Sequence, residues 1–334
     1  MTIAGAKRLA DLVRQFSRRT IAVIGDVIAD EFLFGRPARI SREAPVLILR
    51  FTEREVLLGG AANAAHNVAA LGARVVPIGV IGDDAAGADV LALFRGAGIV
   101  VDGIVREPGR TTPVKTRIMA GGYPATRQQV VRLDREPVGD PAAESETAML
   151  GCLEAVAPQV DGFLLSDYGY GAVTARVLEC VRTLARDKRR PVTADSRYDL
   201  PRFTALTAAT PNEAELAQLT GTAVDDERGV EKAGRQLLER LDAGMLLLTR
   251  GSQGIALLER DGATTFIPIH GTDEIADVTG AGDTVISTFT LGLASGASPL
   301  EAATLANVAG GLVVMKRGTA TVSGGELLRE LGEV

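Results

Sequence analysis

The stretch Asp277–Ser287, "DVTGAGDTVIS", decides how the chain is read. Gly280 and Gly282 stand just before a run, Thr284 to Ala294, whose composition suits a helix. Glycine lowers helix propensity, so glycine at such a place points to a backbone that comes very close to something. A glycine-rich turn opening a helix presents unpaired backbone N–H groups together with the positive end of the helix dipole, a site for anionic oxygen. Gly280, Ala281 and Gly282 would supply those donors, and Asp283 beside them could accept a proton from an attacking hydroxyl. The plainer alternative makes Asp283 a helix cap. Anion hole plus base describes phosphoryl transfer from a nucleotide to an alcohol. No GxxxxGK[ST] occurs, and GxGxxG is absent after the first strand, so neither a Walker-type loop nor a dinucleotide fingerprint is present.

Around this turn the chain alternates strand and helix signals. "TIAVIGD" (20–26), "RVVPIGVIG" (74–82), "FLLSD" (163–167), "PVTAD" (191–195) and "MLLLTRG" (245–251) are compact apolar runs ending at polar or glycine residues, as buried parallel strands do. "AANAAHNVAALG" (61–72) reads as a helix stopped by Gly72, and helices are expected over 174–187, 212–219, 229–242, 284–295 and 299–314. This alternation predicts an α/β fold, a doubly wound, mainly parallel sheet with helices on both faces. Ligands in such sheets sit beyond the carboxyl ends of the strands. Two excursions, 32–57 and 111–134, look like strands and turns without helices. They are expected to form a small β-sheet lid over the reacting site rather than edge hairpins of the main sheet.

Composition narrows the class. The chain has 334 residues, 46% hydrophobic and 23% charged, with a formal net charge of −6. That acidic balance offers no bulk basic face, and no nucleic-acid partner is expected. Cys152 and Cys180 are the only cysteines and lack metal-ligand spacing, which suits a reducing compartment. The first twenty residues carry no apolar h-region, and no run approaches the ~20 residues of a membrane span. A cytoplasmic protein without a membrane partner is the expectation.

Four separated motifs together resemble the ribokinase-like, or PfkB, carbohydrate kinases: Gly59-Gly60-Ala61-Ala62-Asn63, Asn212-Glu213-Ala214-Glu215, Thr249-Arg250-Gly251 and Asp277 to Asp283, in the family's order. The resemblance runs from about Thr20 to Ser323. It implies a single ribokinase-like domain over 1–334, with ATP and Mg²⁺ as cofactors. Asp283 would be the general base, and Gly280, Ala281 and Gly282 would stabilise charge on the transferred phosphoryl group. Asn212 and Glu215, i and i+3 after Pro211, would reach Mg²⁺ through water. Asp195, Thr249 and Gly251 would meet the nucleotide phosphates or ribose, and Asn307 would fall near the adenine. Asp277 and Thr279 could contribute to a monovalent cation site, K⁺ in some relatives.

On the substrate side, Asp30 matches the family's sugar-binding aspartate. Asp26, four residues earlier, serves either the sugar or the backbone of its own turn. Gly59 and Gly60 permit close approach, Asn63 can donate and accept to a hydroxyl, and Asp167 closes the set at its strand end. His66 and His270 show no metal spacing.

"GDVIADEFLFGRPARISREAPVLIL", "GGAANAAHNVAALGA", "TRQQVVRLDRE" and "LLSDYGYG" are similar to the kinase domain of ADP-heptose biosynthesis, which phosphorylates heptose 7-phosphate at the anomeric hydroxyl. No nucleotidyltransferase domain, often fused to that kinase, is expected within this chain. A substrate already carrying a phosphate calls for cationic contacts, for which Arg39, Arg42, Lys115, Arg117 and Arg127 are candidates. Three positions depart from the subfamily: Arg42 replaces a proline, Tyr170 a lysine, and Asp195-Ser196-Arg197 an Asp-Pro-Lys. A fructose- or ribose-type kinase, or a non-catalytic sugar or nucleotide sensor, stand as alternatives. The exposed β-edges of the lid suggest a homodimer.

Overall fold

The computed structural model describes residues 3–121, 127–271, 277–316 and 318–332. Its strands are β1 (Thr20–Gly25), β2 (Val27–Ile40), β3 (Leu47–Gly60), β4 (Arg74–Gly82), β5 (Ile104–Glu107), β6 (Val114–Ala120), β7 (Gln128–Arg135), β8 (Gly162–Asp167), β9 (Val192–Ser196), β10 (Ala208–Ala209), β11 (Met245–Thr249), β12 (Ile255–Glu259) and β13 (Thr264–Ile267). The helices are α1 (Ile3–Gln15), α2 (Ala61–Ala70), α3 (Ala85–Gly96), α4 (Ala143–Val156), α5 (Ala175–Arg186), α6 (Glu213–Thr220), α7 (Glu227–Leu241), α8 (Ala281–Ala294), α9 (Pro299–Val314) and α10 (Gly324–Glu330).

Runs such as Thr20–Gly25 and Gly162–Asp167, apolar on both sides of the pleat, form strands buried at every residue. They lie side by side in a nine-stranded sheet of order β13-β12-β11-β10-β9-β8-β1-β4-β5. The ladders from β5 to β11 are parallel, and β12 and β13 add antiparallel pairs at one edge. Alternation along β1 divides the core. Ile21 and Val23 pack with α1, α2, α3, α8, α9 and α10, whereas Ala22 and Ile24 pack with α4, α5, α6 and α7. Both faces are therefore covered. The order reverses between β1 and β8, and that switch point is where an open parallel sheet leaves a crevice.

The expected strands and the helices at 61–72 and 174–187 agree with the structure to within a few residues. One shift matters: α8 begins at Ala281 rather than 284, so the glycine turn forms its first helical turn. Helices α1, α3, α4 and α10 and the edge strands β5, β12 and β13 lie outside the sequence expectations.

The second sheet has the order β3-β2-β6-β7. It departs from the main sheet immediately after β1, because β2 begins at Val27, and returns at Gly60 where α2 begins. Every residue of β7 is exposed, as is half of β3. No helix among the described residues is long and apolar enough to cross a membrane.

Candidate active site

Beyond the carboxyl ends of β8, β9 and β11 lies a cavity of about 520 Å³, whose walls include Tyr168, Asp195, Glu215, Thr249, Gly282 and Asp283. The first turn of α8 forms one wall. Gly280 caps the helix with φ 78°, and a Cβ there would stand 2.6 Å from the Asn63 amide nitrogen, so glycine is required for conformation and for space. The Ala281 N–H turns back to the Val278 carbonyl at 3.2 Å, which removes it from the expected set of anion donors. The amides of Gly282 and Asp283 meet no acceptor among the described residues, as first-turn amides do when no cap reaches them. A Cβ on Gly282 would touch nothing outside its own helix. Protein packing gives no reason for glycine at 282.

Asp283 is 5% exposed. Asn63 Nδ2 donates to its Oδ2 at 2.7 Å, and the Tyr168 hydroxyl faces Oδ1 at 3.4 Å. Burial pushes its pKa up to about 7, helped by the charge of Asp30 and opposed by the Asn63 and Tyr168 donors and by Lys115. Asp195, across the cavity, is pushed up to about 8 by burial and by the charges of Asp283 and Glu215, with Arg197 opposing.

The substrate-side residues divide. Asp30 is buried beside Arg117, whose Nη1 donates at 2.6 Å, and Lys115 pairs with Asp30 across the parallel ladder. The Lys115 ammonium lies 4.4 Å from the centre of the Tyr168 ring, and burial lowers its pKa. Gly59 makes room for Asp30: a Cβ there would meet the carboxylate at 2.6 Å. Gly60, with φ 56°, would likewise meet the Asp26 carbonyl at 2.7 Å. Three expectations need correction, and the choice left open at Asp26 falls to the backbone. The Asp26 carboxylate is filled by the N–H groups of Tyr168, Tyr170 and Ala172 at 2.7–3.0 Å, so it shapes that loop instead of facing a sugar. Burial nevertheless raises its pKa against those three donors. Asn63 is fully buried and holds Asp283, not an open hydroxyl-binding position. Asp167 is held by Ser196 Oγ at 2.7 Å and Arg202 Nη2 at 2.9 Å, which takes up both carboxylate oxygens. Of the basic candidates, Arg39 and Arg42 are exposed away from this cluster, and Arg127 packs 4.1 Å from the Phe34 ring.

On the nucleotide side, Asn212 and Glu215 prove to be a capping box on α6. Asn212 Oδ1 accepts from the Glu215 N–H at 2.9 Å, and Glu215 Oε2 accepts from the Asn212 N–H at 3.0 Å. The Asn-x-x-Glu spacing was itself the signal for this cap. Glu215 Oε1 still faces Arg197 at 3.5 Å in the cavity wall. Asp277 holds the Thr279 N–H at 2.9 Å and the Gly318 N–H at 3.0 Å; these donors outweigh burial and lower its pKa. Its carboxylate therefore braces the turn against the loop after α9, and neither oxygen is free of a donor. Thr249, Gly251 and Asn307 line the cavity, although the Asn307 side-chain amide donates to the Pro268 carbonyl at 2.7 Å. His66 and His270 stand apart, His270 paired with Glu330 at 2.8 Å. Sequence reasoning passed over Tyr168 and Asn67. Tyr168 follows directly on Asp167, and Asn67 lies one helical turn beyond Asn63, a spacing that puts both on one face.

The model of the pfkB family carbohydrate kinases matches residues 18–323. The chain is 42% identical over 311 residues to the Bifunctional protein HldE of Geobacter metallireducens, covering 93% of this chain and 62% of that protein. The corresponding protein of Caulobacter sp. is 41% identical over 322 residues, covering 96% and 64%. The chain thus spans less than two thirds of the length of these relatives. Among solved structures, Arabidopsis thaliana ribokinase complexed with ribose and ATP superposes with a TM-score of 0.74 at 19% identity, over 94% of this chain and 98% of that one. Escherichia coli phosphofructokinase-2 in complex with fructose-6-phosphate gives 0.74 at 16% identity, over 94% and 98%. At these identities the structural likeness speaks for the fold.

Proposed function

The chain belongs to the pfkB family of carbohydrate kinases, a phosphotransferase with a sugar hydroxyl as acceptor, and from that premise we propose that it transfers the γ-phosphoryl group of Mg·ATP to the anomeric hydroxyl of a heptose 7-phosphate. The observation that carries the phosphoryl-transfer reading is Gly282. Its missing side chain leaves space that no protein atom fills, beside two unused amides and a buried carboxylate.

In this reading the amides of Gly282 and Asp283 receive the phosphoryl oxygens, where a fixed donor is worth about 10²–10³ in rate. Asp283, poised near neutrality, accepts the hydroxyl proton, which contributes a further ~10²–10⁴. Asp30 orients the sugar, held in place by Arg117 and given room by Gly59. Thr249 and Gly251 flank the nucleotide phosphates, and Asn307 the base. Asp195, Glu215 and Asp283 crowd negative charge around one cavity, and a hydrated divalent cation suits that crowding. Glu215 Oε1, with Asn212 beside it, would hold Mg²⁺ through water, and bound Mg²⁺ would neutralise charge on the phosphate oxygens. Among the described residues no group of three or more His, Cys, Asp or Glu could cage a metal directly. A monovalent cation would have to share Asp277 with the Thr279 and Gly318 amides; stimulation of turnover by K⁺ tests that role.

The heptose 7-phosphate reading is supported by the HldE relatives and by the charge of the small sheet's inner rows. Lys115 lies opposite Asp30, and Arg117 lies opposite Arg132, so two guanidinium groups neighbour the sugar-binding carboxylate. That pairing suits a substrate with its own phosphate. The three departures sit away from the base: Arg42 is exposed on the β2–β3 hairpin, the Tyr170 hydroxyl reaches Glu136 at 3.1 Å, and Arg197 stands at the rim beside Glu215. A panel of heptose 7-phosphate, fructose 6-phosphate, fructose and ribose with Mg·ATP, read as ADP release and by ³¹P NMR of the product, tests the reading. Preference for a free sugar overturns it.

The small sheet would close over the sugar and pair with a second copy. Phe51, Leu133 and Ile40 are 68%, 62% and 59% exposed on it, an apolar surface that calls for a cover. Light scattering at micromolar concentration should give twice the chain mass, falling to one in Phe51→Glu.

A further inference from the structure

Asp283 has two oxygens, and the proposed chemistry needs one of them free. Which one is settled by a buried polar chain behind the base. Asn67 Nδ2 donates to the main-chain carbonyl of Asn63 at 3.0 Å. A carbonyl oxygen only accepts, so this contact fixes which end of the Asn67 amide is nitrogen. The same nitrogen lies 3.2 Å from Asn63 Oδ1, which fixes the Asn63 amide in turn. Asn63 must then present Nδ2 to Asp283 Oδ2, at 2.7 Å. At the far end the Thr284 hydroxyl donates to Asn67 Oδ1 at 2.7 Å, so the oxygen left over is also satisfied. Asn63, Asn67 and Thr284 are all fully buried, so water does not compete for these bonds.

We propose that Asn67 is a positioning residue for the phosphoryl transfer: through Asn63 it commits Oδ2 of Asp283 to a permanent hydrogen bond and leaves Oδ1 as the atom that takes the proton. The inference rests on the kinase reading. Oδ1 is the oxygen on the Tyr168 side, where the hydroxyl at 3.4 Å is too far for a strong bond and a substrate hydroxyl can replace it. Without Asn67 the Asn63 amide is no longer held from behind and can turn; turned, its carbonyl oxygen faces the carboxylate, an arrangement that requires a proton between them. Asn67 does not line the cavity. The other titratable and charged groups around the base are Asp30 on β2, Lys115 on β6, Tyr168 after β8 and Asp195 on β9, and none of them contacts Asn67.

The test is the pH profile of kcat/KM in Asn67→Ser, measured with the best sugar of the panel. Loss of a charge-assisted bond to a buried carboxylate should move the acidic limb up by about one pH unit. Activity should fall about tenfold near pH 6.5 and recover most of the loss near pH 9, with the KM for ATP unchanged. Should Asn67→Ser fail to fold, the near-isosteric Thr284→Val, which loosens the far end of the chain, should move the limb in the same direction by less. An active wild type whose limb stays in place in the folded variants overturns this inference alone. A wild type that releases no ADP with any sugar overturns it together with the kinase reading.

Discussion

Gly59 and Gly60 make room for the protein's own atoms, whereas Gly282 leaves room that no protein atom takes. At the first turn a Cβ would strike the Asp30 carboxylate or the Asp26 carbonyl, both within 2.7 Å. At Gly282, nothing outside the helix lies within 4 Å. The two turns look alike in sequence, both glycine-rich and both opening a helix. One admits a carboxylate into a strand pair. The other keeps a helix terminus bare toward a cavity, at a cost in helix propensity of up to about 1 kcal/mol that only a bound group offsets.

The hardest test of this contrast removes the base next to the empty space. Asp283→Asn should lower kcat by about 10³ or more while the affinity for ATP, measured by calorimetry, stays within about twofold. Normal turnover would leave the bare helix terminus without a reaction to serve. Gly282→Ala comes next. It should lower kcat/KM by about 10² while Tm is unchanged or raised, because the new methyl meets only ligand. A fall in Tm with activity intact would erase the difference between the turns. Gly59→Ala should show the reverse pattern, a loss of about 1–3 kcal/mol of stability from the clash with Asp30, together with a raised KM for the sugar. Equal stability in this variant would mean that Asp30 moves aside freely.

The smallest effect concerns pH. The folded protein holds Asp283 protonated up to about pH 7, far above the ordinary 3.8, so folding favours the neutral form. Below pH 4 both states are protonated and the residue contributes no difference. As pH rises from 4 to 7 the unfolded chain ionises while the folded one resists, and stability falls; above 7 the loss is complete. Asp195 acts in the same direction up to about pH 8. Glu326, held down to about 2 chiefly by Lys316, titrates only in acid and leaves this window undisturbed. The Tm of Asp283→Asn should therefore exceed that of wild type by a margin that grows between pH 4.5 and 7 and is then constant, at about 4 °C or more. A margin independent of pH would show that burial does not perturb the carboxylate.

Much of the fold was legible because the main sheet writes itself in compact apolar runs. Arg74–Gly82 emerged as a strand with both ends as expected, and Thr20–Gly25 with one residue fewer. The edge strands β12 and β13 were not legible, since "IALLE" and "TTFI" are too short to be told from loop or helix by periodicity. The helix α8 was placed three residues late because Gly280 and Gly282 read as a turn; the left-handed cap at Gly280 alone makes that turn, and Gly282 is already helical. At the site, Asp283, Asp195 and Thr249 were named and line one cavity, with Asp30 close enough to Asp283 for its charge to be felt there. Asp26, Asp167 and Asn63 were named for the sugar, but each is committed to protein partners.

Residue type, spacing and apolar runs were enough to set the layered architecture and to single out the glycine turn and Asp283 as candidates, because these depend on neighbours close in the chain. Only the folded chain decided which polar groups remain open. A carboxylate becomes a ligand, a brace or a base according to the donors that tertiary packing brings to it. Asp26 received three backbone amides from a segment about 140 residues away, and Asp283 received Asn63 from 220 residues away. Local sequence carries no trace of such partners.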